Sequence, residues 1–170
     1  MNQLEKDLLD KLAVGNIDED YFFSIFPFDI KNDKDYVVSA VEKAIVANDI
    51  SEIEYAIQLI WLSGKDDEFI DLLHSLLLNP NHYSHQTIVK SLQDLKNPKS
   101  VPFIEKALET NFDYIPYNGS DSDSVAKWFS WALASIGTPE ALDVIRKYSN
   151  SQAQGIREEM LRRLKKIEKS

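Results

Sequence analysis

Three turns in this chain can be laid over one another, and that superposition constrains the fold more than composition does. Aligned at "WLSGKDDEFIDLL", "QDLKNPKSVPFIEKAL" and "ASIGTPEALDVIRKY", the segments place Leu62, Leu95 and Ile136 at the end of one helical pattern. Phe69, Val101 and Leu142 then open the apolar stripe of a second, followed three residues later by Leu72, Ile104 and Ile145. Upstream, Leu59, Leu92 and Leu133 correspond, as do Tyr55, Ile88 and Phe129. The step from Phe69 to Val101 is 32 residues and that from Val101 to Leu142 is 41. A helix pair cannot bury both of its faces alone, so pairs recurring at this interval must stack. The expected fold is all-α, a right-handed α-solenoid of about three to four helix pairs.

The apolar period is helical almost throughout, with no convincing alternation of period two. Helices are expected over residues 2–14, 34–48, 51–63, 66–78, 84–96, 98–110, 123–136, 138–149 and 153–168. Turn and cap residues separate them: Gly64, the "NPNHYS" at 79–84, "KNP" at 96–98 and "GTP" at 137–139. Asn97-Pro98 and Thr138-Pro139 each set a capping side chain before a proline at the first helical position, where its missing N–H costs nothing. The chain reads as a single domain over 1–170: an N-terminal cap region over 1–50, repeats over 51–150, and a C-terminal capping helix over 151–170. In the cap region "YFFSIFPFDI" looks like an irregular, aromatic-rich plug. In the last helix Ile156, Met160, Leu164 and Ile167 share one face, with Arg157, Arg162, Lys165, Lys166 and Lys169 on or near its polar sides.

The segment "ALASIGTPEALDVIRKYSNSQAQGIREEMLRRLKKI" resembles bacterial HEAT repeats of the phycobilisome-lyase-like type, through their "AL..IGTPEAL..L" turn and the helix that follows. The resemblance covers 123–168 best, 51–110 more faintly, and not the first 50 residues. It implies HEAT-like helix pairs and leaves function open, since such folds serve as scaffolds, enzyme accessories and inhibitors. Similar proteins with lyase activity act on bilins, and no residues here match that chemistry.

The helix over 123–136 carries Trp128 and Trp131. At about 100° per residue, Trp128 joins the apolar arc of Val125, Phe129, Ala132, Leu133 and Ile136. Ala126, Ser130 and Ala134 form a stripe of small residues where a neighbouring helix can approach. Trp131 falls off the arc, between Lys127 and Ser135, and either packs under an adjoining element or serves as an exposed aromatic anchor for a partner. The longer second step is an insertion, "NFDYIPYNGSDSDS", whose repeat-breaking part is 111–122. Its Phe112, Tyr114 and Tyr117 stand beside Asp113, Asp121 and Asp123. That mix suits a basic protein surface, or else the loop packs on itself and Asp123 or Ser122 caps the next helix. The candidate partner-binding residues are therefore Trp131, Lys127, Phe112, Tyr114, Tyr117, Asp113, Asp121 and Asp123.

Catalytic signatures are missing: there is no GxSxG, no phosphate-cradling glycine loop and no dinucleotide fingerprint. The absence of cysteine removes thiolate chemistry and disulfides. His82 and His85 are three residues apart but lack further ligands, Asp121 and Asp123 lack the rest of a calcium loop, and His74 reads as a surface or boundary residue. No metal or other cofactor is expected.

The net charge of −9 opposes phosphate-driven binding to nucleic acid. It is uneven: residues 1–145 carry 25 acidic and 11 basic side chains, residues 146–170 carry 3 and 8. This is either a solvated acidic domain closed by a basic helix or a surface that attracts a basic partner. With no signal peptide or membrane-length apolar run, a soluble cytoplasmic protein is expected. The reading favoured is a non-enzymatic protein-binding module using second-helix surfaces and the insertion, as in a bacterial immunity protein that neutralises a basic toxin domain. A scaffold or lyase-like accessory of an enzyme complex is the alternative, and a nucleic-acid-binding HEAT-like protein the weaker third.

Overall fold

Local capping chemistry accounts for where the helices begin. The computed structural model describes residues 1–110 and 122–169, apart from the side chains of 122–124. Among these residues there are ten α-helices and no strand: α1 (Gln3–Ala13), α2 (Glu19–Ile25), α3 (Lys34–Ala47), α4 (Ile50–Ser63), α5 (Ile70–Leu77), α6 (His85–Leu95), α7 (Val101–Glu109), α8 (Ser122–Ile136), α9 (Pro139–Tyr148) and α10 (Gln154–Ile167). Asn2, Asp18, Asp33, Asp49 and Thr138 each accept a hydrogen bond from a backbone N–H in the first turn of the helix they precede. No helix among the described residues is long and apolar enough to cross a membrane.

The expected helices form, with two differences. α2 runs into the first half of the stretch read as an irregular plug, started by the Asp18 carboxylate, which accepts from the Tyr21 N–H at 2.8 Å. The second helices at 66–78 and 98–110 each open with a 3-10 turn, Asp66–Phe69 and Pro98–Ser100. Pro102 supplies the reason in the second case. It has no N–H to give the Pro98 carbonyl, so Val101 donates there instead and the turn tightens.

The chain forms two compact units, Met1–Leu72 and Leu73–Ser170, divided within α5. In the first, α3 packs on α4, and α1 packs on both α2 and α4. Leu9, Phe22, Val37, Val41, Ile53 and Ile57 are wholly buried there, and the Phe22 and Phe26 rings lie 4.8 Å apart. Polar ties join the helices: the Tyr55 hydroxyl donates to the Asp10 carboxylate at 2.9 Å, and Lys6 pairs with Glu52.

In the second unit α8 is the hub, touching α6, α7, α9 and α10. Leu92 and Leu133, which correspond in the repeat alignment, are both wholly buried, as are Ile104 and Ile145. The same alignment sets Ser100 against Ala141, and both are wholly buried too. Gly137 ends α8 with φ +67°, a left-handed conformation, and Thr138 starts α9 by accepting from the Ala141 N–H at 3.3 Å. Thr138→Ala should cost about 1 kcal/mol in a urea titration. A change indistinguishable from zero would mean that water replaces the cap.

The histidines correct the sequence reading. His74, read as a surface or boundary residue, is buried, stacked on Phe103 at 4.1 Å, with Nε2 2.9 Å from the Ser100 hydroxyl. His82 and His85 are also buried and stack at 3.9 Å. His82 donates from Nε2 to the Leu76 carbonyl and accepts from the Ser84 N–H at Nδ1, which defines a neutral tautomer. His85 donates from Nε2 to the Asn79 carbonyl at 2.8 Å. The "NHYSH" segment thus ties down the α5–α6 connection: His85 reaches the Asn79 carbonyl, and His82 joins the Asn79 N–H on the Leu76 carbonyl.

Candidate partner-binding surfaces

Two grooves mark the second unit, one on each kind of helix in the repeat. The first runs between second helices. Pro98, Val101, Pro102 and Val144 form an apolar floor, Glu105, Glu140 and Asp143 stand on its rim with Lys147, and the volume is about 630 Å³. Prolines suit this place, because the 3-10 turn supplies the Pro98 carbonyl with the Val101 N–H and both rings give rigid apolar surface. Lys147 donates to Glu105 at 2.7 Å and lies 4.0 Å from Glu109. The hydrogen bond to Glu105 raises its pKa above the ordinary lysine range. Arg146 reaches Asp143 at 2.7 Å. The rim therefore keeps a carboxylate excess while both cations are engaged locally.

The second groove runs between first helices, α6 and α8. Gln86, Val89, Lys90, Gln93, Lys127, Trp128 and Trp131 enclose about 530 Å³. Trp128, expected in the core arc, sits at its edge and is half-buried, with one side on the groove. Trp131 is 41 % exposed. Its ring is covered on one side by the Arg163 guanidinium of α10, 4.0 Å from the ring centroid, with the Lys166 ammonium at 5.8 Å. Trp131 thus packs on the next helix and keeps part of its surface exposed.

A buried ion network holds that arrangement. Glu159 and Arg163 lie on the buried face of α10 with Ile156 and Met160. Arg163 donates to Glu159 at 3.2 Å, and the Ser130 hydroxyl of α8 lies 2.9 Å from the same carboxylate oxygen. Arg162 binds the other oxygen at 3.0 Å. The small-residue stripe on α8 is where this happens: Ala126 and Ser130 are fully buried, so α10 comes close enough for its charged groups to bond there.

Lys127 is exposed on the lip of the α6–α8 groove, and it is brought together with Trp131 there. Phe112, Asp113, Tyr114, Tyr117 and Asp121 lie outside the described residues. Asp123 is in the first turn of α8, with its side chain outside them as well. The groove on α7 and α9 was visible in the sequence only as a general second-helix surface; the pairing of Pro98 and Pro102 with Val144 was the available signal.

Charge also divides between the two units. Met1–Leu72 carries 17 acidic and 6 basic side chains, a net of −11, and the remainder carries 11 and 13, a net of +2. In the first unit Tyr21, Ile25 and Phe28 stand exposed in a stretch that also holds Asp18, Glu19, Asp20 and Asp29. Among the described residues no group of three or more His, Asp or Glu side chains is placed to hold a metal ion.

A family model described as PBS lyase HEAT-like repeat matches residues 125–151, most of α8 through α9 and the turn beyond. No curated protein and no solved structure matches the chain. Residues 125–151 are accordingly a HEAT-like repeat, a helix pair of the kind that builds protein-interaction and scaffold modules.

Proposed function

We propose that the chain is a non-enzymatic binding module for a basic protein, acting as a bacterial immunity protein that neutralises a toxin by occupying it. The observation that carries this reading is the α7–α9 groove, whose apolar floor and carboxylate rim match an apolar side chain flanked by lysine or arginine. The net −11 of Met1–Leu72 supports it further, since an acidic surface speeds encounter with a cationic partner. A toxin that acts on nucleic acid needs a basic surface for phosphate, and an acidic inhibitor competes for that surface.

The test begins with the tagged full chain in its native host, identifying any stoichiometric companion by mass spectrometry and expressing that companion alone. A basic companion that kills cells unless this chain is present is the expected result. A harmless companion would replace the immunity reading with that of a scaffold or enzyme accessory. With the companion in hand, Glu140→Lys combined with Asp143→Lys should weaken binding by about tenfold or more, because both side chains are exposed on the groove rim. Affinity should also fall as salt is raised. Unchanged affinity in the double variant would remove the α7–α9 groove from the interface.

A further inference from the structure

We propose that the α6–α8 groove is a second recognition site, one that takes an acidic protein segment with an apolar anchor residue. Its chemistry is opposite to that of the α7–α9 groove and it lies on the other helix of each pair. The proposal therefore stands apart from the function proposed above.

The groove wall is apolar at Val89, Trp128 and Trp131, and its charged lining residues are Lys90 and Lys127. No carboxylate is among the described lining residues. Behind Trp131 stand two more cations, Arg163 and Lys166. Lys90 pairs with Asp94 on the exposed flank of α6 and Arg163 with the buried Glu159, so each of these acids is offset by a cation and Lys127 adds positive charge to the lining. The groove lies in the unit of net charge +2, so its cations are not opposed by an acidic surround within that unit.

The remaining lining residues narrow the class of occupant. Gln86 and Gln93 lie seven residues apart on α6, on the same stripe as Val89 and Lys90. Side-chain amides both donate and accept, which matches the alternating N–H and C=O of an extended peptide backbone. A single nucleic-acid strand would also meet lysines and indoles here. It is disfavoured because Arg163 already covers one side of the Trp131 ring, and because a polyanion feels the repulsion of the whole acidic chain. A peptide with a few carboxylates around one aromatic residue gains the lysines and, carrying fewer negative charges, feels less of that repulsion.

The test uses the full chain and fluorescence anisotropy of a short labelled peptide with glutamates around one phenylalanine. Three companion probes are needed: the same peptide with lysine for glutamate, the same peptide with serine for phenylalanine, and labelled oligothymidine. The acidic peptide should bind and the lysine version should not, while loss of the phenylalanine should weaken binding about tenfold. Lys127→Glu should weaken it about fivefold or more. That side chain is exposed, so the variant should keep its far-UV spectrum. Glu140→Lys with Asp143→Lys should leave this binding unchanged, which separates the two sites. Equal binding of the lysine peptide, indifference to Lys127→Glu, or tighter binding of oligothymidine would each overturn the assignment.

Discussion

Arg163→Ala should destabilise the second unit by about 3 kcal/mol, at the lower edge of what is lost when one partner of a buried ion pair is removed. Arg163 and Glu159 are each about 5 % exposed, so the variant strands a carboxylate away from water. The Ser130 hydroxyl and Arg162 remain within reach of Glu159, which keeps the loss from being larger. The same change uncovers the Trp131 ring face, so tryptophan emission should shift to the red. Because Trp61 lies in the other unit, the titration is best followed by emission in a Trp61→Phe background, with the midpoint read at constant urea slope. The double variant Glu159→Leu with Arg163→Leu supplies the control. Removing both charges leaves nothing stranded and should come within about 1 kcal/mol of the parent. If the single variant unfolds where the parent does, the pair is solvated. If the double variant is as unstable as the single one, packing of the two long side chains matters rather than their charge.

The turns were the most legible part of the fold, because their causes act within three or four residues. A threonine cap, a proline at the first helical position and a glycine at the end of the previous helix are visible without knowing any neighbour. Thr138, Pro139 and Gly137 are found in those roles. The repeat was legible for the same reason, since Leu59, Leu92 and Leu133 recur at fixed distances from such turns. α2 was missed because its aromatics do not follow a helical stripe, although Asp18 was there as a start signal.

The candidate sites were less legible because they depend on which elements meet. Glu159 and Arg163 are four residues apart, a spacing that on an isolated helix reads as a solvated pair. Only the approach of Ser130 and Trp131 from α8 makes them interior. The stripe of small residues on α8 announced a close neighbour without saying that the neighbour would bring charge. The α7–α9 groove needs residues 42 positions apart, Pro102 and Val144, to face one cleft. The division of charge was obscured for another reason: the boundary between the units falls inside α5, where no linker composition marks it.

Buried His85 makes stability depend on pH in a range where carboxylates are still ionised. Burial, helped by the adjacent His82 ring, lowers the pKa of His85 from 6.5 to about 3, against the opposing pull of its bond to the Asn79 carbonyl. The native state therefore holds His85 neutral while the unfolded chain protonates it below 6.5, so the unfolded state binds the extra proton. The resulting stability is fully present above pH 6.5 and is lost progressively as pH falls towards the native value. At pH 5 the loss from His85 alone should be about 2 kcal/mol, 1.5 units below the unfolded pKa. Glu52 is held below its ordinary value by the hydrogen bond from Lys6, so its contribution is lost only at lower pH, and pH 5 to 7 isolates the histidine effect. His85→Gln keeps a donor for the Asn79 carbonyl but cannot titrate. It should sacrifice some stability at neutral pH and flatten the fall between pH 7 and 5, as read from urea midpoints. A slope equal to the parent's would assign the acid sensitivity to another group and leave His85 as a packing residue only.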